Sequence, residues 1–259
     1  MGTSSNVTYY VPEECYEPII AARKAFEAMD GSDIVMDLRI IKRGDVVTIN
    51  ERFSVIAFET VHRCPSQGYA ILRTYKKKLK QEYRECDRKT IRELMEQDID
   101  LYDPQELPTT EFVYTGDTTF EGLLKPELSF IFSAEIFMTE ATYLDDESRE
   151  RCIKYGHTHI EDLIEHRQQF DKIGLIALVH ISSKYGFYGR VLNLLNQKVP
   201  NDLASKFAVG LRSFGHFEDL VLLGRSKATN RDSDPDRSEK RPEEQPGYGW
   251  GRRKYKDIL

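Results

Sequence analysis

Three apolar runs, each with the length and composition of a buried strand, end at a residue able to bind a metal ion. The run FSVIAFETVH ends at His62, TTEFVYTGD ends at Asp117, and KIGLIALVH ends at His180. An α/β scaffold places its chemistry at strand ends that face a crevice. Two imidazoles and one carboxylate suit zinc, although they supply only half of a two-metal site.

The first part of the chain shows one helical pattern followed by strand patterns. Apolar residues at helical spacing over residues 12–29, between a proline and an Asp-Gly turn, predict an amphipathic helix. Residues 34–75 alternate apolar and polar positions, with breaks at Arg43-Gly44 and 65–68. This alternation predicts antiparallel strands.

Residues 76–108 begin with a lysine-rich stretch of helix formers and end at proline turns, which predicts an exposed basic helical excursion. A second apolar run follows the strand that precedes Asp117. A helix is then predicted from about Asp146 to Phe170, and helical segments after the last strand extend to about Gly215. This alternation of strands and helices indicates a layered α/β architecture.

The composition of the 259 residues, 40% of them hydrophobic, is sufficient for a substantial core. We expect one domain over residues 1–225 and a disordered charged tail over 226–259, where charged residues, Pro, Gly and Ser replace apolar ones. The net charge of −6 argues against a protein that coats nucleic acid through overall positive charge. Any RNA binding must therefore be local.

The four cysteines lie far apart without C-x-x-C spacing, which indicates neither a disulfide framework nor a zinc ribbon. A reducing compartment is expected. No apolar run has the length of a membrane span, and the N-terminus lacks the basic and apolar regions of a secretory signal. We expect a soluble intracellular protein with no membrane partner, with cytoplasm, nucleus and organelle all left open.

The individual candidate residues have two interpretations each. Gly116 allows a sharp turn that would project Asp117 over the sheet edge, but Asp and Gly also dominate ordinary turns. His180 precedes a hydroxyl-rich loop and His62 ends another strand, so both either line a site or are structural histidines.

His157 and His159 are two residues apart, so on a helix they would face different directions. A helix is expected to begin between them, with Thr158 as its N-cap and Glu161 completing a capping box. Capping accounts for Thr158 and Glu161 but not for His157.

Six motifs follow one another between about Thr8 and Tyr185, and together they resemble ribonuclease Z. The resemblance is to the short plant and cyanobacterial type of this tRNA 3′-end endonuclease, a member of the metallo-β-lactamase superfamily. The motifs are His62-x-x-Pro65-Ser-Gln-Gly-Tyr69, the lysine-rich segment 76–83, Thr115-Gly-Asp-Thr118, Glu140-Ala-Thr-Tyr-Leu-Asp-Asp146, Gly156-His-Thr-His159 and His180-Ile-Ser-Ser-Lys-Tyr185.

The resemblance implies a role for each matching residue. His62 and His180 match zinc ligands, and Asp117 matches the carboxylate that bridges two zinc ions. His157 matches the histidine that passes a proton to the leaving 3′-oxygen, and Glu140 matches the glutamate that orients it. Two zinc ions would generate hydroxide and hold the phosphodiester, while an imidazole would serve as general acid.

One family motif is missing, because no H-x-H-x-D-H string occurs in the sequence. We therefore expect an incomplete metallo-β-lactamase-like αββα sandwich, consisting of the C-terminal half and part of the first half. A complete site binds two Zn²⁺ ions. This chain alone is expected to bind zinc weakly or substoichiometrically, because three ligands are too few for two cations.

Two functions of different classes remain open. The first is a zinc-dependent endoribonuclease that removes 3′ trailers from precursor tRNA, present here as an incomplete or split chain. The second is a non-catalytic scaffold or RNA-binding subunit derived from the same family. The expected partners are precursor tRNA and either a chain that supplies the missing half or a second copy in a homodimer.

The lysine cluster of residues 76–80 also has two interpretations. It is either a solvated face or, as the resemblance implies, part of the arm that holds the tRNA elbow. Such an arm needs positive charge to contact phosphates and no base readout. The RNA-binding candidates are Lys76, Lys77, Lys78 and Lys80.

Overall fold

The computed structural model describes residues 7–103, 106–186, 188–210 and 220–223. Ten strands lie in these ranges. They are β1 (Thr8–Val11), β2 (Asp37–Ile40), β3 (Val46–Thr48), β4 (Phe53–Glu59), β5 (Gln67–Arg73), β6 (Thr109–Tyr114), β7 (Ile136–Glu140), β8 (Leu175–Val179), β9 (Phe207–Gly210) and β10 (Leu220–Leu222).

Six α-helices lie in the same described ranges, and none is long and apolar enough to cross a membrane. The helix predicted over residues 12–29 is confirmed as α1. It ends at Gly31, whose φ of +71° is the left-handed conformation that glycine adopts readily. The helices are α1 (Glu13–Asp30), α2 (Arg88–Glu96), α3 (Arg149–Tyr155), α4 (Ile160–Glu165), α5 (Tyr188–Lys198) and α6 (Asn201–Ala204).

The main sheet has eight described strands, in the order β10-β9-β8-β7-β6-β5-β4-β3. Strands β3 to β6 pair antiparallel, and β6 to β9 pair parallel, which confirms both the antiparallel pattern of the first part and the α/β pattern of the second. One exception is β2, which pairs parallel with β1 in a separate sheet.

One row of side chains crosses five strands of this sheet and forms the centre of the core. Its members are in register from strand to strand and have no exposed surface. Burying such a row against the aromatic cluster around Phe120 and Phe170 removes much apolar surface from water. The row consists of Ala70, Val113, Phe137, Ile176 and Phe207.

Strand direction places the candidate residues at one edge of the sheet. Strand β4 runs antiparallel to β5, and β5 runs antiparallel to β6, so β4 and β6 point the same way. Strands β7 and β8 are parallel to β6. The ends of β4, β6, β7 and β8 therefore bring His62, Asp117, Glu140 and His180 to the same edge.

The predicted basic helical excursion over 76–108 is wrong for its lysines. Residues 76–80 are extended, and α2 begins only at Arg88. The backbone N–H of Lys80 donates to the carbonyl of Leu101 at 2.9 Å, and Leu79 forms an isolated antiparallel bridge with Tyr102. These nonlocal hydrogen bonds occupy backbone groups that a helix would need, so tertiary pairing overrides local helix propensity.

The helix predicted from about Asp146 to Phe170 is also interrupted. It divides into α3 and α4, with short 3₁₀ helices at either end. Gly156, with φ of +70°, ends α3, and the next helix, α4, has its N-cap at His159. After Ala204 the prediction of helix to Gly215 is wrong as well, because residues 207–210 form β9, while 211–219 and the predicted tail lie outside the described residues.

A buried tyrosine joins the segments that follow β7 and β8. The hydroxyl of Tyr185, a residue only 1% exposed, accepts hydrogen bonds from the backbone N–H groups of Leu144 at 2.7 Å and Asp145 at 3.3 Å. No disulfide assists, since all four cysteines are free.

We therefore predict that Tyr185→Phe lowers the free energy of unfolding by about 1–3 kcal/mol, because it leaves two backbone donors without their acceptor. Urea unfolding followed by circular dichroism measures this. Tyr9→Phe is the matched control, because Tyr9 is 46% exposed and its loss of a hydroxyl should change stability by less than about 0.5 kcal/mol. Equal effects of the two substitutions would contradict the prediction.

Candidate metal centre

The carboxylate of Glu140, at the end of β7, is the buried centre of the candidate site. Its side chain has no exposed surface, and Oε1 accepts a hydrogen bond from the backbone N–H of Thr118 at 2.6 Å. The hydroxyl of Thr142 donates to Oε2. A buried carboxylate needs several such donors, because burial removes its hydration. Glu140 thus ties the segment after β6 to β7.

His157 contacts the same carboxylate. Its Nδ1 lies 2.9 Å from Oε2 and 3.2 Å from Oε1 of Glu140, and a carboxylate accepts hydrogen bonds, so Nδ1 carries the proton. The hydrogen bond to Glu140 raises the pKa of His157 above that of an ordinary histidine, against the opposing effect of burial. The arrangement leaves Nε2 of His157 for another partner.

His180 follows β8 with an unusual backbone. Its φ of +56° lies in the left-handed region that a residue other than glycine seldom adopts. Oγ1 of Thr142 lies 3.1 Å from the carbonyl oxygen of His180 and 2.8 Å from Nδ1 of its ring. Strain of this kind persists where the surroundings impose it and is concentrated at functional sites.

The Thr142 hydroxyl therefore connects His180 to the Glu140 carboxylate that His157 contacts. Because Thr142 donates its single proton to Oε2 of Glu140, its own oxygen accepts from Nδ1–H of His180. The lone pair of His180 is then on Nε2, which lies 3.5 Å from Oδ2 of Asp117. This is the tautomer in which His180 would bind a metal ion through Nε2.

Asp117 reaches this position through the turn that the sequence predicted. Gly116 has φ of +63°, which a side chain would make unfavourable, and Asp117 is partly buried. The hydroxyl of the next residue, Thr118, accepts a hydrogen bond from the backbone N–H of Val61 at 3.0 Å.

His62 lies beside this group. Its Nδ1 is 2.8 Å from the carbonyl of Gly156, which only accepts, so Nδ1 donates and the lone pair is on Nε2. The ring centroids of His62 and His157 are 4.8 Å apart. A hydrogen bond from one ring nitrogen to a backbone carbonyl is the usual support of a histidine that binds metal through the other.

Three residues of the described part could hold one metal ion together. Asp117, His157 and His180 each offer a ligand atom, and these atoms lie within 4.8 Å of one another. Two imidazoles and a carboxylate match the donor preference of zinc, so the group fits such an ion. The set predicted from the sequence has His62 in the place of His157, and that assignment stays a prediction.

His159 was missed as a structural residue of the site. It is fully buried, its Nε2 lies 2.9 Å from the carbonyl of Asp145, and its Nδ1 accepts from the backbone N–H of Glu161. It is the N-cap of α4, with Asp162 completing the capping box, so the predicted cap at Thr158 is wrong by one residue. The Thr158 hydroxyl donates to the carbonyl of Thr118 instead.

An ion pair fixes the loop that carries His180. Lys184 lies 3.0 Å from Oδ1 and 2.7 Å from Oδ2 of Asp145, so it connects the segments after β8 and β7. Burial opposes ionisation of Asp145, yet hydrogen bonds from Lys184 and Ser148 prevail and hold the pKa of Asp145 at about 2.

The lysine cluster lies in the extended segment 76–80 and is largely paired with carboxylates. Lys77 lines the same surface depression as Lys76, Lys78 and Arg84. Whether the cluster binds RNA stays a prediction, and its positive charge is locally balanced. The pairs are Lys76 with Glu51 at 2.7 Å, Lys78 with Glu106 at 2.7 Å, and Lys80 with Asp100 at 3.4 Å.

Comparison with known proteins identifies the family. The chain is 30% identical to the tRNase Z TRZ1 of Arabidopsis thaliana over 179 residues, 69% of this chain and 62% of TRZ1. It is 30% identical to the chloroplastic tRNase Z TRZ2 of the same plant over 177 residues, 68% of this chain and 49% of TRZ2. Ribonuclease Z of Saccharolobus solfataricus is 25% identical over 167 residues, 60% of this chain and 55% of that protein.

The sheet described above belongs to an α/β fold of the metallo-β-lactamase type, and these relatives are tRNase Z and ribonuclease Z proteins. The chain belongs to the ribonuclease Z family. It spans 62% or less of the length of these three relatives. No protein-family model matches the chain.

Among solved structures, human tRNase Z, short form, is 16% identical with a TM-score of 0.46, covering 70% of this chain and 62% of the human chain. The metallo-β-lactamase fold protein YhfI from Bacillus subtilis is 12% identical with a TM-score of 0.46, covering 81% of this chain and 64% of YhfI.

We predict that Thr142→Val disturbs His180 more than Thr142→Ser does. Valine has the shape of threonine but no hydroxyl, so Nδ1 of His180 loses its acceptor and the buried carboxylate of Glu140 loses a donor. The free energy of unfolding should fall by about 1–3 kcal/mol. Long-range nitrogen–proton NMR spectra of the metal-free chain report the tautomer of His180. A mixture of tautomers is expected in the valine variant and a single Nδ1–H form in the serine variant. An unchanged spectrum of Thr142→Val would contradict the proposed linkage.

Proposed function

We propose that this chain carries the proton-donating part and some of the metal ligands of a ribonuclease Z active centre, which removes 3′ trailers from precursor tRNA. The observation that carries the proposal is the hydrogen-bonded pair of Glu140 and His157 beside Asp117 and His180. Family membership supports the substrate class, because the relatives are named tRNase Z and ribonuclease Z.

In this proposal Asp117, His180 and His62 would hold zinc. Bound zinc would supply a hydroxide nucleophile and offset negative charge on the phosphate. His62 and His180 both have a hydrogen-bonded Nδ1, which leaves Nε2 as the ligand atom. The carboxylate of Asp117 lies near Nε2 of His180 and would join the same ion.

His157 would act as the general acid. Its contact with Glu140 favours the imidazolium, so the ring keeps a proton at a higher pH than an ordinary histidine. A proton held on Nε2 can pass to the 3′-oxygen as the P–O bond breaks, and Glu140 stabilises the charged ring until that step. A raised pKa suits a proton donor and disfavours metal binding by the same ring, which supports His157 as acid rather than ligand.

The family's H-x-H-x-D-H string does not occur among the 259 residues. We propose that the further metal ligands come from another polypeptide segment that packs at the same sheet edge. A second function, a non-catalytic RNA-binding subunit, is favoured by the same absence, since three ligands cannot neutralise two divalent cations. Reconstitution with a segment that carries H-x-H-x-D-H separates the two functions.

For the chain by itself, we predict at most one weakly bound zinc ion, because one carboxylate and the adjacent imidazoles provide one incomplete set of ligands. Plasma emission spectrometry of dialysed protein measures the content. Asp117→Asn should lower zinc content further, while the exposed Asp33→Asn should leave it unchanged. Two zinc ions retained per chain after dialysis would refute this expectation.

For the reconstituted protein, we predict metal-dependent cleavage of precursor tRNA at the 3′ end. His157→Gln should slow single-turnover cleavage by roughly 10²–10⁴-fold, the usual contribution of a general acid, while zinc content and RNA affinity stay nearly constant. His166→Gln is the control, because His166 contacts the backbone of Asp162 and the ring of Phe120 rather than Glu140. A reconstituted protein that contains its full complement of zinc and still does not cleave precursor tRNA would contradict the proposed enzymatic function.

A further inference from the structure

Tyr155 lies at the centre of a group of three cations. The guanidinium of Arg63 is 5.6 Å from its ring centroid, that of Arg151 is 5.7 Å away, and Nζ of Lys154 is 5.6 Å away. All three cationic residues are exposed, and Tyr155 is half-buried. Each distance lies within the range of a cation–π contact. We call these four residues the Tyr155 patch.

Within the described ranges, none of the three cations of the Tyr155 patch forms an ion pair with a carboxylate, whereas three lysines of the segment 76–80 do. The chain has 43 Asp and Glu against 37 Lys and Arg, so nearby acids would be expected by chance. Three like charges around one ring repel one another and favour an anion beside them.

The Tyr155 patch adjoins the candidate site directly. Arg63 follows His62, and Tyr155 is separated from His157 only by Gly156. The two segments touch, because a Cβ added at Gly156 would lie 3.1 Å from the backbone nitrogen of Arg63. The hydrogen bond between His62 and the carbonyl of Gly156 holds them together. An RNA strand that places a phosphate at His157 would therefore have neighbouring phosphates near the Tyr155 patch.

We propose that the Tyr155 patch binds the phosphate backbone of the single-stranded RNA that adjoins the reacting phosphodiester, with Tyr155 holding its cations in place. This inference rests on the proposed function and adds the surface that grips the strand. It also assigns this task to unpaired cations beside the site, rather than to the paired lysines of the segment 76–80. Release of counterions from the RNA phosphates supplies the affinity, so binding should weaken steeply as the salt concentration rises.

The test measures the affinity of the metal-free chain of 259 residues for a fluorescein-labelled oligouridylate by anisotropy, over a series of KCl concentrations. The combined variant Arg63→Gln, Arg151→Gln and Lys154→Gln should bind roughly tenfold more weakly, with a log–log salt slope smaller by about 2, as expected for three lost phosphate contacts on a single strand. The matched control combines Lys76→Gln, Lys78→Gln and Lys80→Gln and should change affinity by less than about threefold.

Two further variants test the role of the ring. Tyr155→Phe keeps the π face and should bind like the unaltered chain, whereas Tyr155→Leu should lose about half of the effect of the triple variant, because its cations are no longer held together. Thermal melting monitored by circular dichroism checks that each variant is folded. Inorganic phosphate replaces chloride at equal ionic strength in a parallel series. Stronger displacement by phosphate than by chloride would show a site for a free anion and overturn the proposal of a strand-binding surface.

An unchanged affinity and salt slope in the triple variant would also overturn the proposal, as would an equal loss in the lysine control. These outcomes are independent of catalysis, since metal-free protein is used. If the reconstituted protein stays inert while the triple variant loses RNA affinity, the proposed function is contradicted and the RNA-binding role of the Tyr155 patch is retained. If the reconstituted protein is active and the triple variant binds RNA normally, only the RNA-binding role of the Tyr155 patch is contradicted.

Discussion

The hydrogen bonding of one buried carboxylate determines the geometry of the whole site. Glu140 has no access to water, so its charge must be balanced by donors from the protein. The three donors come from different segments: Thr118 after β6, Thr142 after β7, and His157 in the turn between α3 and α4. These hydrogen bonds to Glu140 therefore fix the three segments relative to one another. Loss of one donor should alter the positions of the other two.

The sheet makes this convergence possible. Two successive antiparallel pairings return β6 to the direction of β4, and the parallel pairings continue that direction through β8. Side chains that follow these strands are thus delivered to one edge without long loops. The Gly156 turn adds His157 from outside the sheet, because its left-handed backbone ends α3 and lets the chain pass close to Arg63.

Sequence patterns were sufficient where local signals and tertiary structure agree. The strands before Asp117 and His180 are continuous apolar runs, and α1 has helix signals at both ends, so their positions were predictable. The extended form of residues 76–80 was not, because it depends on hydrogen bonds to residues 100–103 that no local pattern reveals. Thr142 was overlooked for a similar reason, since its hydroxyl contacts a histidine that is distant in sequence and is brought near by β8.

The same carboxylate interacts differently with two histidines that lie side by side. The rings of His157 and His180 stack with centroids 5.4 Å apart. His157 touches Glu140 directly, and a negative charge at hydrogen-bond distance favours the positively charged ring. His180 is connected to Glu140 mainly through the Thr142 hydroxyl, which carries no charge and directs Nδ1–H away from Asp117. One buried anion can thus support a proton donor on one side and a ring with an available Nε2 lone pair on the other.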